Sequence, residues 1–188
     1  VCANLFDKST NKPLLPPYLI KKVGNVSVGV FGLMSDKVDL GPSRDSMFVE
    51  EPTSAAKRVV AEMRKKGATA IVLLSQLGKV ESEDLVTALD GVDAVMVGRN
   101  VPLLQQGRLI KNTTACYGGE QGQYVGRTIL TLDAQKKVTT GANETFILSP
   151  EVGENADILA IVKSFEDNFN DQLRKREKER AAQQSVQS

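Results

Sequence analysis

Apolar blocks alternate with amphipathic stretches through the middle of the chain. Three blocks are continuous enough to predict strands buried on both faces: 26–34 (VSVGVFGLM), 70–74 (AIVLL) and 94–97 (AVMV). Two helices are predicted between them. The first has Thr53 as its N-cap and stops at Gly67, and the second covers 83–90 and stops at Gly91. This order predicts a parallel sheet with crossover helices.

After residue 100 the pattern changes to strands alone and then to one helix. Strands are predicted at 108–114, 124–134 and 138–148, and the last two should form an antiparallel hairpin. From Asn155 a single helical stripe is formed by Ile158, Ile161, Val162, Phe165, Phe169 and Leu173. We therefore expect an α/β region over 1–150, followed by an amphipathic helix over 151–188.

The end of the chain changes character beyond Leu173. Residues 174–180 (RKREKER) are all charged, and 181–188 are small and polar. The favoured interpretation is a solvated helix end that frays into a disordered tail. The alternative is a basic segment that contacts an acidic partner or an anionic membrane surface.

Composition excludes several classes of function. A net charge of +1 over 188 residues argues against a nucleic-acid-binding protein, and no apolar run approaches the roughly 20 residues of a membrane span. The chain opens without Met and without a signal-peptide pattern, which suggests a processed protein or a piece of a longer one. It contains no histidine, which excludes Ser-His and Cys-His nucleophile pairs.

The two cysteines, Cys2 and Cys116, lack the spacing of a zinc ribbon or a haem-attachment motif. Buried free thiols are the favoured interpretation, because cysteine is among the most buried residue types. A disulfide between them stays open for an oxidising compartment.

Function in a parallel α/β sheet usually collects at the carboxyl ends of the strands. Two such ends stand out, 74–78 (LSQLG) and 97–101 (VGRNV). The order of ANL, PPYLIKK, VSVGVFGL, AIVLLSQLG, GVDAVMVGRN and YVGRTILTLD resembles the metallophosphoesterase (calcineurin-like) domain of the 5′-nucleotidase family. The resemblance covers only the C-terminal half of that domain. It implies a layered α/β fold, with a mixed β-sheet, flanking helices and a long C-terminal helix.

The resemblance also implies where metal ligands should stand, and this sequence departs from it there. Gln76 occupies the place of the histidine in the family's Ser-His-Leu-Gly block, and Arg99 and Val101 occupy the two histidine places of Gly-His-x-His. An amide oxygen is a weaker ligand than imidazole, valine offers none, and arginine is a permanent cation. A cation about 4 Å from another is repelled by about 4 kcal/mol at an effective dielectric near 20. We therefore expect no metal cofactor.

Three hypotheses of function follow. The favoured one is a non-catalytic, degenerate metallophosphoesterase-like protein that is a structural or binding subunit of an assembly, with other protein chains as partners. The second is a phosphoric ester hydrolase whose remaining ligands lie in an upstream segment. The third is a metal-free phosphate- or nucleotide-binding module, with Arg99, Asn100 and Gln76 as the candidate phosphate-binding residues. The resemblance implies an extracytoplasmic location, in the periplasm or at the cell surface.

Overall fold

The computed structural model describes residues 1–186, in two compact units, 1–147 and a second that begins at Leu148. The first unit contains ten strands and two α-helices. The strands are β1 (Leu5–Asp7), β2 (Tyr18–Val23), β3 (Val26–Met34), β4 (Met47–Val49), β5 (Ala70–Gln76), β6 (Ala94–Val97), β7 (Leu103–Ile110), β8 (Thr113–Gly118), β9 (Tyr124–Leu132) and β10 (Val138–Ile147). The helices are α1 (Pro52–Lys65) and α2 (Lys79–Ala88), and α3 (Ala156–Val186) belongs to the second unit.

Six of the strands form one mixed sheet in the order β2-β3-β5-β6-β8-β7. The four central strands are parallel, and each edge strand is antiparallel to its neighbour. Strands β1 and β4 form a small separate pair, and β9 and β10 form the expected antiparallel hairpin. The prediction of an α/β fold with a mixed sheet, flanking helices and a long C-terminal helix is confirmed.

Helix α1 begins two residues earlier than predicted. Its N-cap is Glu51, not Thr53, and the two carboxylate oxygens accept hydrogen bonds from the backbone N–H groups of Thr53 and Ser54 at 2.8 and 2.7 Å. Partial burial acts to raise the pKa of Glu51, but these hydrogen bonds outweigh it and lower the pKa from 4.5 to about 2. Pro52 takes the first helical position, where its missing N–H costs nothing.

One face of the sheet packs on α1 and α2 and forms the core. The central strands supply alternate residues to this face: Phe31, Leu33, Ile71, Leu73, Val95, Val97, Ala115 and Tyr117, all 5% exposed or less. Val59 and Met63 of α1 and Val86 of α2 pack against them. Helix α1 approaches strand β3 closely at Gly29, since a Cβ on this residue would lie 2.7 Å from the Met63 Sδ.

The opposite face of the same sheet is only partly covered. Met96 and Cys116 lie in one row with Leu74 and Gly32, by the register of the parallel strands. The β9–β10 hairpin covers the β8 side of this face, where Gly141 lies against Thr114. Leu74 stays 44% exposed. On this face Ala94, Thr114 and Cys116 are buried, whereas Leu74 is exposed. The burial on both faces that the continuous apolar runs predicted therefore holds for most of β6 and not for the end of β5.

Two predicted elements are shifted. The strand predicted at 108–114 is in fact the β7–β8 hairpin, whose turn at 111–112 falls inside that range. Lys111 adopts a left-handed conformation (φ 52°) to make this tight turn, and no glycine marks it in the sequence. The second helix begins at Lys79, four residues before the predicted start, directly after Gly78 (φ 81°).

The second unit consists of a short 3₁₀ turn at Pro150–Val152 and the 31-residue helix α3. The backbone N–H groups of Asp157 and Ile158 donate to the Asn155 side chain, which caps the helix. The charged segment 174–180, predicted as the end of this helix, lies inside it, because Glu, Lys and Arg favour helix. Fraying of the tail stays a prediction. The last two residues of the predicted tail lie outside the described residues. Division of the chain into domains at residue 150 stays a prediction.

Candidate functional site

The loops after β5 and β6 meet at the carboxyl edge of the sheet, as the sequence predicted. The backbone N–H of Gly98 donates to the Ser75 carbonyl at 2.8 Å, and a Cβ on Gly78 would lie 3.4 Å from the Arg99 carbonyl. Arg99 and Asn100 are both left-handed, with φ of 66° and 51°. In the family that the sequence resembles, three positions at this edge are histidines. Here they are Gln76 at the end of β5 and Arg99 and Val101 in the adjoining loop after β6.

A small polar network surrounds Gln76 at this edge. The Gln76 Oε1 accepts a long hydrogen bond (3.4 Å) from the backbone N–H of Ser35, the residue that follows β3. The Ser35 hydroxyl donates to Glu81 at 3.3 Å, and Lys37 pairs with the other oxygen of Glu81 at 2.6 Å. The hydrogen bond from Lys37 lowers the pKa of Glu81, and the nearby charge of Arg99 acts in the same direction. Lys37, one of the cations at this edge, is therefore already paired with a carboxylate.

The residues of this edge do not fit a divalent metal ion. Val101 is 2% exposed and is part of the core, so it offers neither a donor atom nor space. Arg99 brings a fixed positive charge, and the Gln76 amide oxygen is engaged by Ser35. Among the described residues, no group of three or more Cys, Asp and Glu is placed to hold a metal.

Next to this edge lies a cleft of about 410 Å³ between the sheet and the β9–β10 hairpin. Thirteen described residues line it, and none of them carries an ionised side chain: Leu74, Ser75, Gln76, Met96, Val97, Gly98, Cys116, Tyr117, Gly118, Gly126, Thr128, Asn143 and Thr145. A phosphate dianion needs cationic or multiple N–H partners, which this lining does not concentrate. The cleft suits an uncharged or apolar group.

The three candidate phosphate-binding residues are only partly brought together. Gln76 lines the cleft, whereas Arg99 and Asn100 lie on the neighbouring exposed loop and are not among the lining residues. Their assignment to phosphate binding stays a prediction.

The cleft also contains polar residues that sequence reasoning missed. The Thr128 hydroxyl lies 3.0 Å from the Cys116 Sγ and donates to the Asn143 Oδ1 at 3.1 Å, while the Asn143 amide donates to the Gln105 carbonyl at 3.2 Å. Burial raises the pKa of the Cys116 thiol, which keeps it protonated. Strand periodicity alone could have indicated that Thr128 and Asn143 share one face of the hairpin. The packing of that face onto Cys116 is a long-range contact without a local signal.

Both cysteines are free and buried. Cys2 lies against Gly32 on β3, and Cys116 is on β8, with β5 and β6 between them. Three strand spacings separate them, about 14 Å, whereas a disulfide requires Cα atoms within roughly 7 Å. In this structure the two thiols are therefore free and too far apart to bond.

Comparison with known proteins bears on the family resemblance noted from the sequence. An uncharacterized metallophosphoesterase of Bacillus subtilis, YunD, is 26% identical over 178 residues, which cover 92% of this chain and 38% of the relative. The 2′,3′-cyclic-nucleotide 2′-phosphodiesterase/3′-nucleotidase of Salmonella typhimurium is 32% identical over 119 residues, covering 52% of this chain and 18% of the relative. The relatives that match the chain are metallophosphoesterases and 5′-nucleotidase-type enzymes. The resemblance noted from the sequence is thus confirmed.

A solved structure shows the same fold. The sulfate thiohydrolase SoxB of Thermus thermophilus superposes with a TM-score of 0.81 at 23% identity, covering 91% of this chain and 32% of that protein. No protein-family model matches the chain. The chain spans between 15 and 40% of the length of the curated relatives it matches, so the activity of a whole relative does not transfer to it directly.

Proposed function

We propose that this chain is a non-catalytic, degenerate relative of the metallophosphoesterases that serves as a structural or binding subunit of a larger assembly. The observation that carries the proposal is the donor set at the carboxyl edge. Gln76, Arg99 and Val101 stand where the family resemblance implies histidines, and Val101 is packed into the core. A two-metal phosphoesterase centre must activate water and clamp a phosphate, and these residues supply neither function.

The partly covered sheet face supports the role of a subunit. Leu74 is 44% exposed in the middle of the sheet, and Leu19 on β2 is 45% exposed. The outward face of the hairpin adds Val125, Ile129 and Phe146, each close to half exposed. Large apolar groups clustered on one side of a protein mark an interaction surface. A second protein layer would bury this side.

Among the described residues, no helix has the length and apolar character needed to cross a bilayer. We further propose an extracytoplasmic setting, which rests on the family resemblance and is testable by cell fractionation.

The test combines metal content, activity and assembly. The protein isolated from its native source under mild conditions should arrive in a stoichiometric complex, without divalent metal in proportion to this chain by mass spectrometry. Leu74→Glu should release the partner chains, whereas the control variant Val80→Glu, at a 69% exposed position on α2, which packs on the opposite face of the sheet, should retain them. Loss of the partners in both variants would indicate general destabilisation and count against this face.

The proposed absence of phosphoesterase activity is tested in the presence of added Mn²⁺ or Zn²⁺. Gln76→His combined with Arg99→His and Val101→His should gain no phosphatase activity on p-nitrophenyl phosphate, because the rest of a two-metal donor set is not among the described residues. Stoichiometric metal in the native chain, or hydrolysis that depends on it, would refute the proposal. It would favour the alternative, an enzyme completed by an upstream segment. Tight binding of inorganic phosphate that Arg99→Ala abolishes would instead favour the metal-free phosphate-binding module.

A further inference from the structure

Helix α3 carries an apolar stripe that no other described residue of its own unit covers. Ile158, Val162, Phe165 and Phe169 repeat at intervals of four, three and four residues and are 43 to 69% exposed. This spacing matches the 3.5-residue period of a coiled-coil seam. The rings of Phe165 and Phe169 stack on this stripe with centroids 6.2 Å apart. Leu159, Ile161 and Leu173 flank the seam and are also exposed.

The charges of the helix are divided between its two ends. Residues 156–171 contain one Lys against four Asp and Glu, a net charge of −3, and residues 172–180 contain five Lys and Arg against two Glu, a net charge of +3. The segment before the helix adds Glu151 and Glu154 to the acidic end. A parallel pair of such helices would set like charges side by side along its whole length, whereas an antiparallel pair can bring the basic end of each helix to the acidic start of the other.

We propose that two copies of this chain pair through α3 as an antiparallel two-helix coil. Centring the pair on the stripe brings Ile158 opposite Phe169 and Val162 opposite Phe165 of the second copy, and the two-fold axis repeats both contacts. Each of the four layers then joins one aromatic and one β-branched residue, so large and small side chains interdigitate. The arrangement closes after two copies.

In the same register the acidic segments 156–171 of the two copies overlap and repel each other, and the basic residues beyond them offset this repulsion. Helical residues 156–171 overlap with themselves, so that Arg174, Lys175 and Arg176 of one copy project past the helix start of the other. There they meet Glu151, Glu154 and Asp157 of the second copy, which are exposed in the structure. A parallel pair would instead stack Phe165 on Phe165 and set the two basic segments side by side. Of the two orientations, the antiparallel one therefore has the better packing and the smaller repulsion between like charges.

The overlap of 16 residues is about 24 Å long, which is short for a coiled coil. We therefore expect a weak dimer, with a dissociation constant on the order of 1 to 100 µM. Sedimentation velocity of the chain should show the mass rising from the 20.4 kDa of one copy towards about twice that value as concentration increases.

A matched pair of variants tests the seam. Phe165→Glu puts a charge into two of the four layers and should weaken dimerisation by about 30-fold or more. Asn170→Glu adds the same charge to the same helix, off the seam, and should change the dissociation constant by less than about 3-fold. Circular dichroism of both variants confirms that α3 still forms. Equal effects of the two variants on the dissociation constant would show that this stripe is not the dimer interface.

Spin labels attached at Gln172→Cys distinguish the orientation. The native thiols of Cys2 and Cys116 are buried, and the chain without the introduced cysteine shows how far they are labelled. In the antiparallel pair the labels lie about 25 to 30 Å apart, and in a parallel pair they lie within about 15 Å. A short distance overturns the antiparallel arrangement. A chain that stays monomeric up to about 200 µM, or that uses the stripe only to bind anionic vesicles, overturns the dimer.

Discussion

The Arg64 side chain joins three elements of the first unit, and its removal gives the sharpest test of how the sheet is fixed to α1. Its guanidinium donates to the carbonyls of Ala68 and Thr69 at 3.0 and 2.7 Å. It also donates to the Gly91 carbonyl and to the Asp93 carboxylate, both at 2.8 Å. One side chain therefore holds the end of α1 to the starts of β5 and β6.

The expected cost of Arg64→Ala follows from these four hydrogen bonds. Each is worth about 0.5 to 1.5 kcal/mol net, and more where a charge is involved. About a third of the Arg64 side chain is exposed (35%), so water replaces part of what is lost. The Asp93 carboxylate is only 17% exposed and still accepts from the Ile71 backbone N–H at 2.7 Å. We expect a loss of about 2 to 4 kcal/mol in the free energy of unfolding, and a fall in Tm of about 5 to 15 °C.

Urea denaturation followed by tyrosine fluorescence measures this change in the first unit alone. The three tyrosines all lie within 1–147 and the chain has no tryptophan, so α3 does not contribute to the signal. Arg58→Ala is the matched control, because Arg58 is also on α1 and about as exposed but makes only two such bonds, to the Ala3 carbonyl and the Glu50 carboxylate. Arg64→Lys keeps the positive charge but lacks the several N–H donors of the guanidinium group. Its loss in free energy of unfolding should lie between those of Arg64→Ala and Arg58→Ala. A loss for Arg64→Ala below about 1 kcal/mol, or no larger than that for Arg58→Ala, would refute this account.

Two further changes test the helix cap and the hairpin. Glu51→Gln leaves one acceptor oxygen in place of two and should cost about 0.5 to 1 kcal/mol at pH 7. Because the folded pKa of Glu51 is lowered to about 2, its contribution is complete above the unfolded value near 4.5 and is lost as pH falls towards 2. Urea midpoints of wild type and variant should therefore converge over that window, and a constant difference would contradict the cap. Gly141→Ala should loosen the hairpin by about 1 to 3 kcal/mol, because its Cβ would lie 1.9 Å from the Thr114 Oγ1. Gly126→Ala on the same hairpin, where the nearest contact is 3.9 Å, should be nearly neutral by the same measurement.

The buried strands could be predicted because their signal is local. Three continuous apolar runs fall on β3, β5 and β6, and β6 matches residue for residue at Ala94–Val97. The hairpin of β9 and β10 was also predictable, since two strand-like runs flank a short polar turn. Edge strand β2 was missed, because its outer half is exposed and contains two lysines, so no apolar run marks it.

Helix starts and tight turns were less predictable because the deciding residues break the usual preference. Glu51 caps α1 although Ser, Thr, Asp and Asn are the favoured N-cap residues. The β7–β8 turn uses Lys111 in a left-handed conformation that sequence patterns assign to Gly, Asn or Asp. In both places the surrounding structure imposes the conformation, and the local sequence does not announce it.

The site shows the same division between local and long-range information. Positions 76, 99 and 101 were identified as one edge because parallel strands end together, and β5 and β6 are neighbours in the sheet. The cleft beside that edge depends on how the hairpin folds back onto Cys116 and Thr114, some 12 to 27 residues away in the chain, which no periodicity encodes.

The cleft is neutral and the adjoining sheet face is exposed and apolar, so a partner protein can cover both. A phosphate site needs fixed cations or a metal, and such groups would be costly to cover with a protein partner unless each were paired. Here Lys37 is paired with Glu81 on the helix side of the edge, and the cleft is lined by neutral groups. Leu74 links the cleft to the exposed face, because its side chain belongs to both. A neutral cleft that continues into an apolar sheet face can be dehydrated by a partner without leaving a charge unpaired. That property is the physical basis on which we prefer a subunit to an enzyme.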